Sequence, residues 1–170
     1  MERKTLFIYT FYTQLFIVFM ILLKLWLLPY LVWKMFGTSA GAAIVLDITA
    51  LIMGVGCALG MGALGYAQAK YYRQKTRTMW FAFVHMILLH APLILFLFYK
   101  FLYGAAWNNA LLLWLSGWLS VITHPMILVG FYGSWVDWVG LLVLGSFYLL
   151  GVWVFLDEHP MLDKRLFPYK

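Results

Sequence analysis

Ser39–Tyr66 reads SAGAAIVLDITALIMGVGCALGMGALGY, an almost unbroken apolar run, dense in glycine, with one acid, Asp47. About 20 apolar residues at ~1.5 Å each match a hydrocarbon core ~30 Å thick, so the run is long enough to cross a bilayer as a helix. On a helix of ~3.6 residues per turn, Asp47, Ala50, Gly54, Ala58 and Gly62 fall on one stripe, and Gly56 and Gly60 stand in GxxxG spacing on an adjoining one. Lipid gives two apolar helices no hydrophobic reason to associate, so close backbone approach and interhelical hydrogen bonds must do that work. The small residues therefore predict a helix in the middle of a bundle. Asp47 is expected to turn toward protein, or a wet cavity within it, rather than toward lipid.

The rest of the chain has the same character. Its 170 residues are 65% hydrophobic and 11% charged, with 20% aromatic; a soluble domain is about a quarter charged. Spanning segments consume nearly all of it, which leaves no room for a soluble catalytic or nucleic-acid-binding domain. The net charge of +6 reads as topological signal and contact with anionic lipid, not as nucleic-acid binding. Cys57 is the only cysteine. It allows no disulfide or cysteine-rich metal site and is expected to be a small packing residue.

Five spans are predicted, over 6–33, 39–66, 79–102, 110–131 and 135–155, in an all-α integral membrane bundle with one domain and a short surface tail, 157–170. The first run is too long for the ~7–15-residue core of a cleavable signal and reads as a retained helix. Pro29 is expected to kink or end it, and Thr10, Thr13 and Lys24 share a face. The segment Gln68–Arg77 holds Lys70, Arg73, Lys75 and Arg77 without an acid. Such loops lie on the cytoplasmic side, and Arg3 and Lys4 place the N-terminus there too. Five crossings then put the C-terminus outside. Ser134 and Asp137 have capping-box spacing at the start of the fifth helix. Trp33, Trp80, Trp107, Trp135 and Trp153 fall near helix ends, where an aromatic belt belongs.

The polar residues inside the spans are the candidate site: Lys24, Asp47, His85, His90 and His124. Counted by rise per residue, Lys24 and Asp47 come out in the outer half of the membrane, in reach of one another as an ion pair. His85 and His124 both come out ~9–11 Å from the inner interface, where two imidazoles on neighbouring helices have the chemistry to ligate one haem or pass a proton. The opposing reading is a packing histidine: Pro125 leaves a carbonyl without its helical donor one turn back, and Ser116 and Ser120 lie nearby. His90 is ~140° around the helix from His85, so the two do not share a small site. A two-haem cytochrome would need four histidine ligands where the membrane region offers three, and zinc lacks HExxH or neighbouring carboxylates. No nucleotide-binding or nucleophile-elbow motif occurs.

With no catalytic constellation and no cofactor expected, the first functional expectation is a non-enzymatic integral membrane subunit. Its glycine-rich stripe would pack against another membrane protein or a second copy. A small-residue surface left over after internal packing would favour that reading, and a stripe consumed within the monomer would count against it. A second expectation, from a different class, is a small transporter or channel component with its polar site at Lys24 and Asp47, lined also by Asn108 and Asn109. A third is a haem- or quinone-associated redox protein using His85 and His124. Compact size and short loops fit a prokaryotic plasma membrane.

Overall fold

The computed structural model describes residues 2–72, 78–103 and 110–159, and all regular structure in them is helical. Arg73, Lys75 and Arg77, the connection with Trp107, Asn108 and Asn109, and the tail from residue 160 lie outside the described residues.

The chain begins as one long rod: helix α1 (Glu2–Leu22), a π-helical turn (Leu23–Leu27) and helix α2 (Leu28–Phe36). In the π turn the Leu28 amide donates to the Leu23 carbonyl, five residues back. Its cause is Pro29, which has no N–H and whose ring crowds the carbonyl one turn before it; adding a residue to that turn relieves the clash. Pro29 thus widens the helix without ending it. The rod stops at Gly37, whose φ of 61° reverses the chain while its amide closes on the Trp33 carbonyl.

Helix α3 (Ala40–Tyr72) returns, followed by α4 (Thr78–Tyr103), α5 (Ala110–Leu128) and α6 (Trp135–Glu158). The five expected segments are all helical, with shifted limits. α3 runs two turns past Tyr66 and takes in Gln68, expected in a loop. Ala-rich sequence supports the extension, and Gln68 finds buried partners there. α5 ends at Leu128, before Phe131. At the start of α6, Ser134 makes no side-chain cap; Asp137 instead forms an ion pair with Lys100 of α4, so the capping-box expectation is not met.

Side-chain contacts fix the directions. Met86 lies against Gly145 and Phe98 against Trp138, so α4 and α6 are antiparallel. His90 stacks on Trp118, and Gly140 faces Ile122 and Thr123, so α5 also runs antiparallel to α6. α4 and α5 therefore point the same way, which breaks the simple up-and-down alternation. Gln68 near the end of α3 bonds Thr13 of α1, and Tyr66 bonds Glu158 at the end of α6. The start of α1 and the ends of α3 and α6 thus meet at one end of the bundle, whereas five alternating crossings would separate the N- and C-terminal ends.

Among the described residues four helices are long and apolar enough to cross a membrane: Thr10–Phe36, Ala40–Lys70, Thr78–Tyr103 and Trp135–Glu158. Their outer faces display large apolar side chains, among them Phe11, Trp26, Ile52, Leu88, Phe101 and Leu142. A soluble monomer rarely exposes apolar surface on this scale. The chain has the build of an integral membrane helical bundle.

Its core runs through Cys57, Met61, Leu93, Leu144, Tyr148 and Val152, all buried. The tightest seam joins α3 to α6. A Cβ on Gly151 would overlap the Gly62 carbonyl, and one on Gly65 the Tyr148 carbonyl. Ala50, Gly54 and Ala58 are buried as expected; Gly54 lies on Pro125, Gly60 under Phe16 and Gly62 beside the Phe147 carbonyl. Gly56 departs from expectation. It is exposed with nothing within 4 Å of a built Cβ, because it lies ~200° around α3 from Gly54.

These positions predict opposite signs for one substitution. Gly65→Ala and Gly151→Ala are expected to lower stability by about 1–3 kcal/mol, since backbone in the way cannot move aside. Gly56→Ala is expected to be neutral or to stabilise by up to about 1 kcal/mol through helix propensity. Thermal unfolding in one detergent, followed by circular dichroism, compares the three.

Candidate functional site: a lysine, histidine and aspartate at one end of the bundle

Polar side chains gather in two layers. One lies near the end where α1 begins. Gln68, only 1% exposed, donates from Nε2 to Thr13 Oγ1 at 2.6 Å and accepts at Oε1 from the Tyr148 hydroxyl at 2.8 Å. That hydroxyl lies 3.4 Å from His85 Nδ1. Its single hydrogen is committed to Gln68, so Nδ1–H of His85 donates to the Tyr148 oxygen, and Nε2 accepts from Thr10 Oγ1 at 3.1 Å. Both ring nitrogens of His85 are engaged. Within the apolar core this network ties α1, α3, α4 and α6 together.

The second layer holds Lys24, His124 and Asp47. The Lys24 ammonium donates to the Ser120 carbonyl at 2.9 Å and lies 3.0 Å from His124 Nδ1. An ammonium has only donors, so Nδ1 accepts and the ring proton is on Nε2. Nε2 in turn faces Asp47 Oδ1 at 3.5 Å. Lys24 and Asp47 thus meet through the imidazole and not directly, in the order cation, neutral ring, anion.

Local sequence produces this arrangement. The π turn forced by Pro29 contains Lys24. Pro125, next to His124, packs on Gly54 of α3, one small residue two turns from Asp47, and so brings the end of α5 against the start of α3. Gly117, under Leu25 and Ile21, lets α5 close on the first rod so that the Ser120 carbonyl reaches Lys24.

Beside the triad is a cavity of about 190 Å3 lined by Lys24, Leu28, Pro29, Leu46, Thr49, Ala50, Met53 and His124. Thr49 directs its hydroxyl hydrogen to the Leu46 carbonyl at 2.9 Å. The His124 and Asp47 side chains are 38% and 48% exposed, so the site is open on one side.

His85 and His124 do not face each other. Their equal depth followed from treating α5 as a return crossing; because α5 runs in the sense of α4, His124 sits with Lys24 and Asp47 at the far end. A haem held between the two histidines loses its geometry, and neither ring has a nitrogen to spare. His90 stands apart from both: its Nδ1 donates to the Met86 carbonyl at 3.0 Å, its ring stacks on Trp118, and Nε2 is buried without a partner among the described residues. Among those residues no three His, Cys, Asp or Glu side chains gather to hold a metal ion. Compared with protein-family models, curated proteins and solved structures, the chain matches none.

Sequence reasoning named Lys24, Asp47 and His124 but joined only the first two, and it missed Gln68 and Tyr148. Gln68 carried one usable signal, an uncharged amide two residues beyond an apolar span. Tyr148 carried none among eleven tyrosines.

Tyr148→Phe removes the hydroxyl without opening a cavity. It is expected to cost about 1 kcal/mol of stability, within the range of hydrogen bonds between membrane helices. Thermal unfolding against wild type measures it.

Proposed function

We propose that the protein is a small transporter or channel component whose polar site is Lys24, His124 and Asp47. One observation carries this reading: a lysine and an aspartate held on either side of a histidine, half-exposed and next to a cavity. A structural ion pair has no need of that opening. The contrasting pair is Lys100 with Asp137, in direct contact, where the aspartate side chain is only 16% exposed against 48% for Asp47.

The accessory-subunit reading has less support. It needs small-residue surface left over, and of the small residues named for packing only Gly56 is open; Ala50, Gly54, Ala58, Gly60 and Gly62 are taken up within the bundle. No catalytic constellation favours an enzyme, and transport requires none.

Orientation follows from charge. Arg3, Lys4, Lys70, Arg73, Lys75 and Arg77 mark one end as inner. With the end of α6 beside the end of α3, the C-terminal end of α6 is inside as well, and the Lys24 site lies in the outer half of a membrane, which we take to be a prokaryotic plasma membrane. Compartment-sensitive reporters fused at either terminus are both expected to report the inner side; an outer signal from the C-terminal fusion overturns this topology.

Transport is tested in proteoliposomes under imposed ion and solute gradients. Wild type is expected to carry flux and Asp47→Asn to reduce it at least tenfold. Wild-type vesicles no leakier than empty ones overturn the proposal.

A further inference from the structure

Lys24 has three ammonium hydrogens. One goes to the Ser120 carbonyl and one to His124 Nδ1; the third has no acceptor among the described residues, and Lys24 lines the cavity. Its other polar side chains are Thr49, whose hydrogen is used on Leu46, and His124. The remaining wall is Leu28, Pro29, Leu46, Ala50 and Met53. A single cationic donor set in an aliphatic pocket suits a small monovalent anion with a short hydrocarbon body. A phosphate dianion requires several donors, chloride makes no use of the wall, and a cation meets the ammonium. At about 190 Å3 the cavity is below the ~300–1,000 Å3 of sites for drug-sized ligands, which limits the body to a few carbons.

Charge balance adds a proton. The groups facing His124 are Lys24 from the first rod and Asp47 from α3. α6 meets its helix at Gly140, next to Thr123; the neighbouring ionic pair, Lys100 of α4 with Asp137 of α6, is closed on itself, and His90 of α4 is turned to Trp118 and Met86. Lys24, neutral His124 and Asp47 sum to zero, so an anion alone would leave the site negative in a low-dielectric setting. Protonating His124 at Nδ1 makes the sum +1. It also removes the acceptor that Lys24 was using and turns that nitrogen into a donor. A carboxylate bridging the two nitrogens from the cavity side then accepts from both Lys24 and His124, and the sum returns to zero.

We infer that this cavity binds a short-chain monocarboxylate together with one proton, the proton residing on His124. The inference rests on the transport reading for its biological use but not for its test. The loaded site carries the equivalent of a neutral acid, with no bond made or broken other than that of the proton.

The experiment is calorimetric titration of the full-length protein in nanodiscs with sodium butyrate, repeated in two buffers of different ionisation enthalpy. Sodium chloride and sodium phosphate serve as controls. Wild type is expected to bind butyrate with uptake of about one proton, tenfold more weakly per pH unit on the alkaline side of the His124 titration. The controls are expected not to compete. Lys24→Gln is expected to lose binding at least tenfold, with Lys24→Arg retaining it; His124→Gln is expected to bind without proton uptake. The inference is overturned by absence of butyrate binding, by binding without proton uptake in wild type, by proton uptake that survives in His124→Gln, by undiminished binding in folded Lys24→Gln, or by equal competition from chloride or phosphate. Butyrate binding without flux in proteoliposomes leaves this inference standing and removes the transport reading. Flux of another solute without butyrate binding does the reverse.

Discussion

A charge inside an apolar helix has to be matched, and this chain matches two with one histidine. Insertion of a lysine or aspartate at the centre of a membrane helix costs about 2.5–3.5 kcal/mol each, an upper bound for a site nearer one end. Hydrogen bonds between membrane helices average only about 0.6 kcal/mol. Bonds to charged groups are roughly twice as strong as neutral ones, and contact with water or the interface lowers the remaining cost. The half-exposed side chains of Asp47 and His124 provide that contact. The opening lowers the cost of keeping these charges within the bundle.

The bundle that holds the site is organised differently at its two ends. Around Gly62, Gly65 and Gly151 the backbones of α3 and α6 touch, and Thr13, Gln68, His85 and Tyr148 tie four helices together beside that seam. At the other end Pro29 widens α2's approach into a π turn, Pro125 caps the contact with Gly54, and a cavity remains. The closest backbone packing is toward the end where the chain begins, and the polar-lined cavity is at the end where Lys24 lies. π turns inserted in helices recur at functional positions, and here the insertion carries the cation of the site.

Apolar length and glycine spacing were enough to read the helical segments and the burial of Ala50, Gly54 and Ala58, because in lipid those two properties decide what spans and what packs. Gly56 was misjudged because two GxxxG rows overlap on α3 and spacing alone does not say which faces protein. The nearness of Lys24 and Asp47 was legible as a shared depth, although they meet through His124 and not as a direct pair. His124 between them was not, since its depth depends on which way α5 runs, and direction is a property of the whole chain. Asp137 illustrates the same limit: capping-box spacing is local, whereas its partner Lys100 is brought to it by the packing of α4 on α6.

The central claim is that His124 stands between Lys24 and Asp47 as a neutral acceptor for the lysine. The most direct measurement is the nitrogen-15 spectrum of the His124 imidazole in lipid, by magic-angle-spinning NMR on histidine-labelled protein, in wild type and in Lys24→Gln. The account predicts one tautomer above the ring's titration range, with the proton on Nε2 and an acceptor-type Nδ1 whose shift moves when Lys24 is replaced. A ring protonated on Nδ1, or averaging between tautomers with no response to Lys24→Gln, would contradict it.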